Sequence, residues 1–319
     1  MQSITFINEV GDEEEVDVLD IILQQSVNWL LIGCVYALLA VGFSLLFGVL
    51  DVIHFSHGDI SMIAPFLVLS LSMLIPGDVS AVQLSLVFLV AVIITGVIGV
   101  GIERVVIRPL LNSPPLMALV TTVALGIVVR ELIRHLFPGG SNPHGFSFPI
   151  GGIATYAWNV GISWLLIAEV ALTAGLLLGI WLFLHRTALG IEVRAVTQDF
   201  DAARWMGINP SRIFRITFFI SSLTGGVAAL LYTSNIGAVR FDFGIMVGLM
   251  GFSAAVIGGL SSVPGAILGG LLLAGVETIT QAVIPDGSSY RLVVAFLVVI
   301  LFLIFKPSGL MGRVVVEKV

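Results

Sequence analysis

Nine apolar runs follow one another between residues 27 and 306, and no other feature narrows the possible folds so far. They cover 27–50, 60–76, 82–103, 116–136, 163–184, 213–233, 246–261, 264–284 and 290–306. A helix needs about 20 apolar residues to cross the ~30 Å hydrocarbon core of a bilayer, where lipid offers the backbone no hydrogen-bond partner. Only 11% of the residues are charged and 58% are hydrophobic, whereas soluble domains carry about 25% charged residues. The chain therefore reads as an all-α, polytopic membrane helix bundle of eight or nine spans, some of them short or broken. Residues 1–24 form an acidic tail, 25–312 the membrane domain and 313–319 a short C-terminal tail. The acidic stretch holds Glu9, Asp12, Glu13, Glu14, Glu15, Asp17 and Asp20. It is expected to be a disordered polar segment without a binding role. The first basic residue is Arg104, so no cleavable signal peptide is expected.

The longest interruption is 185–215, which carries eight of the 34 charged residues, five of them arginines: Arg186, Arg194, Arg204, Arg212 and Arg215. Arginine at the centre of a membrane helix costs roughly 2.5–3.5 kcal/mol, so this segment lies in water, and the positive-inside rule places it in the cytoplasm. Thr197 or Asp199 can cap a short helix through FDAARWM, and Gly207 suits a left-handed stop. Asn209-Pro210 then opens the next span. A short helix showing Phe200, Ala203 and Trp205 has two readings: it docks into another protein, or it rests on the membrane surface.

The segment RAVTQDFDAARWMGIN resembles the cytoplasmic coupling segment of permease subunits of ATP-binding-cassette importers for branched-chain amino acids, the LivH type. The resemblance implies that Arg194, Asp199, Ala202, Ala203 and Gly207 couple the chain to an ATPase, with Ala202, Ala203 and Gly207 as the small contact face. Three further stretches carry it: Phe55, His57, Gly58 and Asp59 after the first run; AAVIGGLSSVPGAILGG; and FKPSGLMG near the C-terminus. His54 stands where members of the family commonly have asparagine. The implied partners are two ATPase subunits, a second and similar permease, and an extracytoplasmic solute-binding protein. Leucine, isoleucine or valine is the implied cargo.

The polar groups inside the runs are the remaining candidates. Asp51, His54, His57 and Asp59 fall within nine residues, but no third well-placed ligand group or cysteine is near, so no metal is expected. Gly58 reads as a backbone break whose freed groups His57 and Asp59 satisfy, with a role in lining the translocation path as the alternative. Arg130 and Arg134 are expected to snorkel or to pair at the interface. Glu169 and Glu277 lie at membrane depth, where an ionisable group faces a cavity or bonds to a neighbouring helix. Residues 244–275 contain nine glycines, and the run 248–261 ends at a Ser-Ser-Val-Pro-Gly break. Short, glycine-interrupted runs mark discontinuous helices near a substrate path, which puts Gly258 and Gly259 among the candidates.

Nine crossings with the N-terminus outside place ten of the fourteen basic residues on the cytoplasmic side, and the opposite orientation reverses the ratio. The sequence contains no phosphate-binding G-x-x-x-x-G-K-[ST] loop, and its only lysines are Lys306 and Lys318. The chain is thus expected to transport without an ATPase site of its own, with no cofactor and no nucleic-acid partner. An importer permease for urea, short amides or other amino acids is one alternative. An ion-coupled transporter or channel that works alone, with Glu169 or Glu277 as its functional carboxylate, is another, and a structural or regulatory membrane protein a third.

Overall fold

The computed structural model describes residues 3–7, 13–75, 80–111, 113–148, 152–157 and 160–312. The tail 313–319 lies outside them, as do Glu9 and Asp12 of the acidic stretch. The rest of that stretch is ordered: β1 (Ser3–Ile7) pairs antiparallel with β2 (Glu13–Asp17), Ser3 opposite Asp17. The expected disordered tail is corrected to a hairpin. Its first strand, SITFI, is rich in β-branched and aromatic residues, which favour an extended backbone.

The chain then builds helices in the order of its apolar runs. The first is α1 (Val18–Leu50), followed by the short pair α2 (His57–Ser61) and α3 (Ile63–Ser72). Next comes α4 (Ala81–Ile102), opened by a capping box in which the Gln83 N–H donates to Ser80 Oγ (3.3 Å) and the Ser80 N–H donates to Gln83 Oε1 (2.9 Å). Its end widens through a π-helical stretch, Glu103–Ile107, into the tight turn Arg108–Leu110. Proline at the first helical position starts α5 (Pro115–Leu136). Three short strands follow, β3 (His144–Gly145), β4 (Ile153–Ala157) and β5 (Val160–Ser163), the last two paired with each other. Beyond them lie α6 (Trp164–Arg186), α7 (Ala188–Gln198), α8 (Phe200–Trp205) and α9 (Pro210–Ile236). The chain closes with β6 (Ala238–Val239), which pairs with β3, then α10 (Phe243–Gly258), α11 (Val263–Val283) and α12 (Gly287–Phe305).

Among the described residues, seven helices are long and apolar enough to cross a membrane: α1, α4 with its extension, α5, α6, α9, α11 and α12. Two apolar segments, His57–Ser72 and Phe243–Gly258, fall short. This is a multi-pass helical membrane bundle, and its nine apolar segments correspond one to one with the nine runs.

The packing has an internal symmetry. Helices α1, α2–α3, α4 and α5 correspond to α9, α10, α11 and α12. As α1 packs on α11, so α9 packs on α4; as α1 packs on α10, so α9 packs on α2 and α3; as α2 meets α5, so α10 meets α12. The inner members, α1 and α9, supply much of the buried core, including Leu38, Leu39, Leu230 and Leu231. By contrast, α5 and α12 turn large apolar side chains outward, among them Val120, Ile127, Val293 and Ile304, as helices facing lipid do. The arrangement brings both short helices to the middle of the bundle, where their N-termini meet.

Candidate functional site

The meeting point is built on glycine. A Cβ on Gly58 of α2 would strike the Gly244 carbonyl oxygen and the Gly248 backbone of α10, so only hydrogen lets the two helices touch there. Asp59 lies against Gly244 on one side and against Gly126, at the middle of α5, on the other. From this joint α3 runs toward the end of α5, where Phe66 meets Phe137 edge-on at 5.1 Å. In the opposite direction, α10 runs to Gly258, which abuts Gly265 at the start of α11. Each short helical segment, at about 24 Å, falls short of the ~30 Å hydrocarbon core, and non-helical chain leads into it.

Non-helical backbone at this depth needs partners, and the chain supplies them. The His57 N–H donates to the His54 carbonyl (3.1 Å) and the Phe55 N–H to Thr122 Oγ1 (3.4 Å). Ser61 Oγ donates to the His57 carbonyl (2.7 Å), and Ser221 Oγ donates to the Gly42 carbonyl (3.0 Å) while lying 3.4 Å from His57 Nδ1. The His57 ring is fully buried and meets Phe43 edge-on at 4.8 Å. Asp59, also buried, pairs with Arg130 at 3.2 Å, and Arg130 donates to the Gly126 carbonyl (3.3 Å). One expectation changes here. Arg130 does not snorkel to the interface but neutralises a carboxylate at the centre of the bundle. His57, Gly58 and Asp59 lie together at the joint, where Gly58 packs against the Gly244 and Gly248 backbone. Among the described residues, no group of three or more His, Cys, Asp and Glu converges as metal ligands would.

Gly258 and Gly259 belong to a second closed junction. Gly259 ends α10 with φ +105°, and the C-terminal segment covers that end: the Leu310 N–H donates to the Ile257 carbonyl (2.8 Å) and the Met311 N–H to the Gly258 carbonyl (2.9 Å). The FKPSGLMG stretch is therefore the cap of a half-helix.

On the face where α1 ends, the polar segment folds as two helices. Of the two proposed caps, Asp199 is the one used: Oδ1 accepts from the Ala202 N–H (2.9 Å) and opens α8. Thr197 Oγ1 donates instead to the Val193 carbonyl (2.9 Å). Gly207 stops the turn with φ +86°. Arg194 is exposed on α7. Ala203 is the correction: it is only 4% exposed, buried beneath α8 against this chain's own core, and cannot form a contact face. Phe200 stacks on Phe214 at 6.1 Å. What α8 presents is Trp205 and Met206, 85% and 84% exposed. The helix α7 escaped the sequence reading. Its signal was there, in Leu189, Val193 and Val196 at helical spacing after Thr187, whose Oγ1 accepts from the Gly190 N–H (3.0 Å).

The two intramembrane carboxylates lie on different walls, and each is bonded to a neighbouring helix. Asn235 Nδ2 of α9 donates to Glu169 Oε2 of α6 (3.3 Å). The Tyr36 hydroxyl of α1 donates to Glu277 Oε1 of α11 (2.8 Å).

Comparison with known proteins agrees with this architecture. Residues 25–303 match the family described as the permease component of branched-chain amino acid transport systems. The chain is similar to the high-affinity branched-chain amino acid transport system permease protein BraD of Pseudomonas aeruginosa, with 34% identity over 93% of this chain and 98% of that protein. It is likewise similar to the LivH permease proteins of Salmonella typhimurium and Escherichia coli, each with 32% identity over 93% of this chain and 97% of the relative. With the match running through both half-helices, their joint and the α7–α8 segment, the chain belongs to the permease-component family of branched-chain amino acid transport systems.

Proposed function

We propose that this chain is the membrane-spanning subunit of an ATP-driven importer that moves leucine, isoleucine or valine inward. An extracytoplasmic solute-binding protein delivers the cargo, and separate ATPase subunits supply the power, two of them serving this chain and a second, similar permease. The full-length likeness to BraD and LivH carries this reading, since both are permease proteins of high-affinity branched-chain amino acid transport systems. The N-terminus faces outward and the C-terminus the cytoplasm. Residues 185–215 are the cytoplasmic coupling loop.

The geometry supports a role for that loop. A lever must be stiff, and α8 is held at both ends by Asp199 and Gly207 and from beneath by Ala203 and Phe200. It must also offer a grip, and Trp205 with Met206 is a large apolar knob in water beside Arg204. Exposed aromatic residues of this kind dominate protein interfaces. Arg194 on α7 is exposed as well. The Trp205→Ala variant, co-expressed with its ATPase, second permease and binding protein in membrane vesicles, tests the reading. Leucine uptake driven by ATP should fall at least ~10-fold, because losing an interface anchor costs about 2 kcal/mol or more. Unchanged uptake would remove α8 from the coupling path.

A further inference from the structure

Glu277 does more than meet Tyr36. It borders a cavity of about 180 Å³ enclosed by α1, α9, α10, α11 and α12. The cavity exceeds the ~30 Å³ share of one liquid water and falls below the roughly 300 Å³ of a drug-sized site. It suits a small organic solute. Its mouth lies by Asn235 and Ile236, both exposed, at the end of α9 away from α7 and α8.

The lining is divided by chemistry. Glu277 contributes a carboxylate from α11, buried to 1% exposure, whose Oε1 takes the Tyr36 hydroxyl. Arg291 contributes a half-buried guanidinium from α12. Among the described residues that guanidinium makes no ion pair within 4 Å, so the two opposite charges border one space without closing on each other. The remaining wall is apolar: Val35 of α1, Val247 and Met250 of the half-helix α10, and Leu292 of α12. A cation, an anion and an apolar wall around a small space define the complement of a zwitterion with an apolar tail. The guanidinium fork matches a carboxylate in a bidentate manner, the carboxylate accepts from an ammonium group, and Val and Met surfaces bury a branched alkyl chain.

From this geometry we infer that the cavity is an amino-acid site within the single subunit, where Arg291 holds the carboxylate, Glu277 the ammonium group and Val247 and Met250 the branched side chain of the cargo. The inference rests on the importer reading above and adds to it a place where cargo pauses inside one permease. It also gives Glu277 a use distinct from that of Glu169, which borders no part of this cavity. Since α10 forms the wall, tilting of the half-helix at its Gly58–Gly248 joint changes the cavity directly.

The test measures binding and transport on the same material. The permease pair with its ATPase is reconstituted in nanodiscs without binding protein, and radiolabelled L-leucine is titrated; uptake is measured in parallel in proteoliposomes with binding protein and ATP. Saturable leucine binding is expected. L-Leucinamide, which lacks the carboxylate, and 4-methylpentanoate, which lacks the ammonium group, should compete at least ~10-fold more weakly, the size of one lost charge-assisted hydrogen bond. Arg291→Gln and Glu277→Gln should each weaken leucine binding by a similar factor. Val247→Trp, which fills the space and leaves both charges, should abolish binding in a protein that still elutes as an intact assembly. Leucine uptake by the wild-type assembly without leucine binding overturns the site and leaves the importer reading standing. So does equal binding by the Val247→Trp and Arg291→Gln variants, or equal competition by leucinamide. If the wild-type assembly takes up no branched-chain amino acid, the importer reading falls, and the nanodisc titration decides the site separately.

Discussion

Gly58 has no atom to spare. Its place at the crossing of α2 and α10 makes it the residue whose replacement should cost most for its size: a Gly58→Leu side chain has no direction in which to go except into the Gly244–Gly248 backbone. Overpacking in a tight interior costs about 1–3 kcal/mol, so this variant should melt at a clearly lower temperature in detergent, whereas Gly101→Leu, in open space, should not. Beside it, the Asp59–Arg130 pair invites a double-mutant comparison. Arg130→Gln strands a buried carboxylate and should cost about 3 kcal/mol or more, while the double variant Asp59→Asn/Arg130→Gln removes the stranded charge and should regain much of that loss. Thermal melts of the four proteins in one detergent give the coupling, and simple additivity of the two single effects would contradict it.

At the scale of elements, the short helices follow from where their caps and breaks stand. Asp199 supplies the capping bond that lets a helix as short as α8 start at a fixed residue. Replacing it with alanine should cost about 1 kcal/mol locally. Hydrogen exchange in residues 200–206 should rise in the Asp199→Ala protein while α9 stays protected; unchanged exchange would show that packing of Ala203 and Phe200 alone fixes the helix. The end of α10 is secured differently, by the chain returning from α12 to cover its carbonyl groups at Ile257 and Gly258. Gly309 makes that return with φ +76°, close to the Gly259 backbone. Gly309→Val should therefore free the end of the half-helix and lower stability, visible as earlier proteolysis of the C-terminal segment.

For the whole molecule, orientation is the property most open to direct measurement. Five arginines between 185 and 215 set against an acidic N-terminal hairpin give the bundle opposite charge at its two faces. With Cys34 replaced by alanine, a single cysteine at Trp205 should be labelled by a membrane-impermeant maleimide only in inside-out vesicles, and one at Asp286 only in intact cells. The reverse pattern would invert the proposed topology. The internal correspondence of α1–α5 with α9–α12 explains why the crossings come in two sets, each with one half-helix, and why both half-helices end up at the centre.

The nine apolar segments were legible because a bilayer imposes length and composition on any helix that crosses it, and those are properties of a linear string. The cap at Asp199, the start at Asn209-Pro210 and the stop at Gly207 were legible for the same reason: they act within a few residues. The pairings were not. Nothing between positions 59 and 130 announces that Asp59 meets Arg130. The same holds for Glu277 bonding Tyr36 across 241 positions, and for Ala203 turning inward while Trp205 turns out. Sequence by itself determined which stretches are apolar enough to meet the membrane and where the chain breaks. Only the tertiary structure decided which breaks meet and which charges are satisfied, because those depend on helices far apart in sequence reaching van der Waals contact. It decided as well that one carboxylate and one guanidinium border a shared cavity, since that cavity exists only once five helices have packed around it.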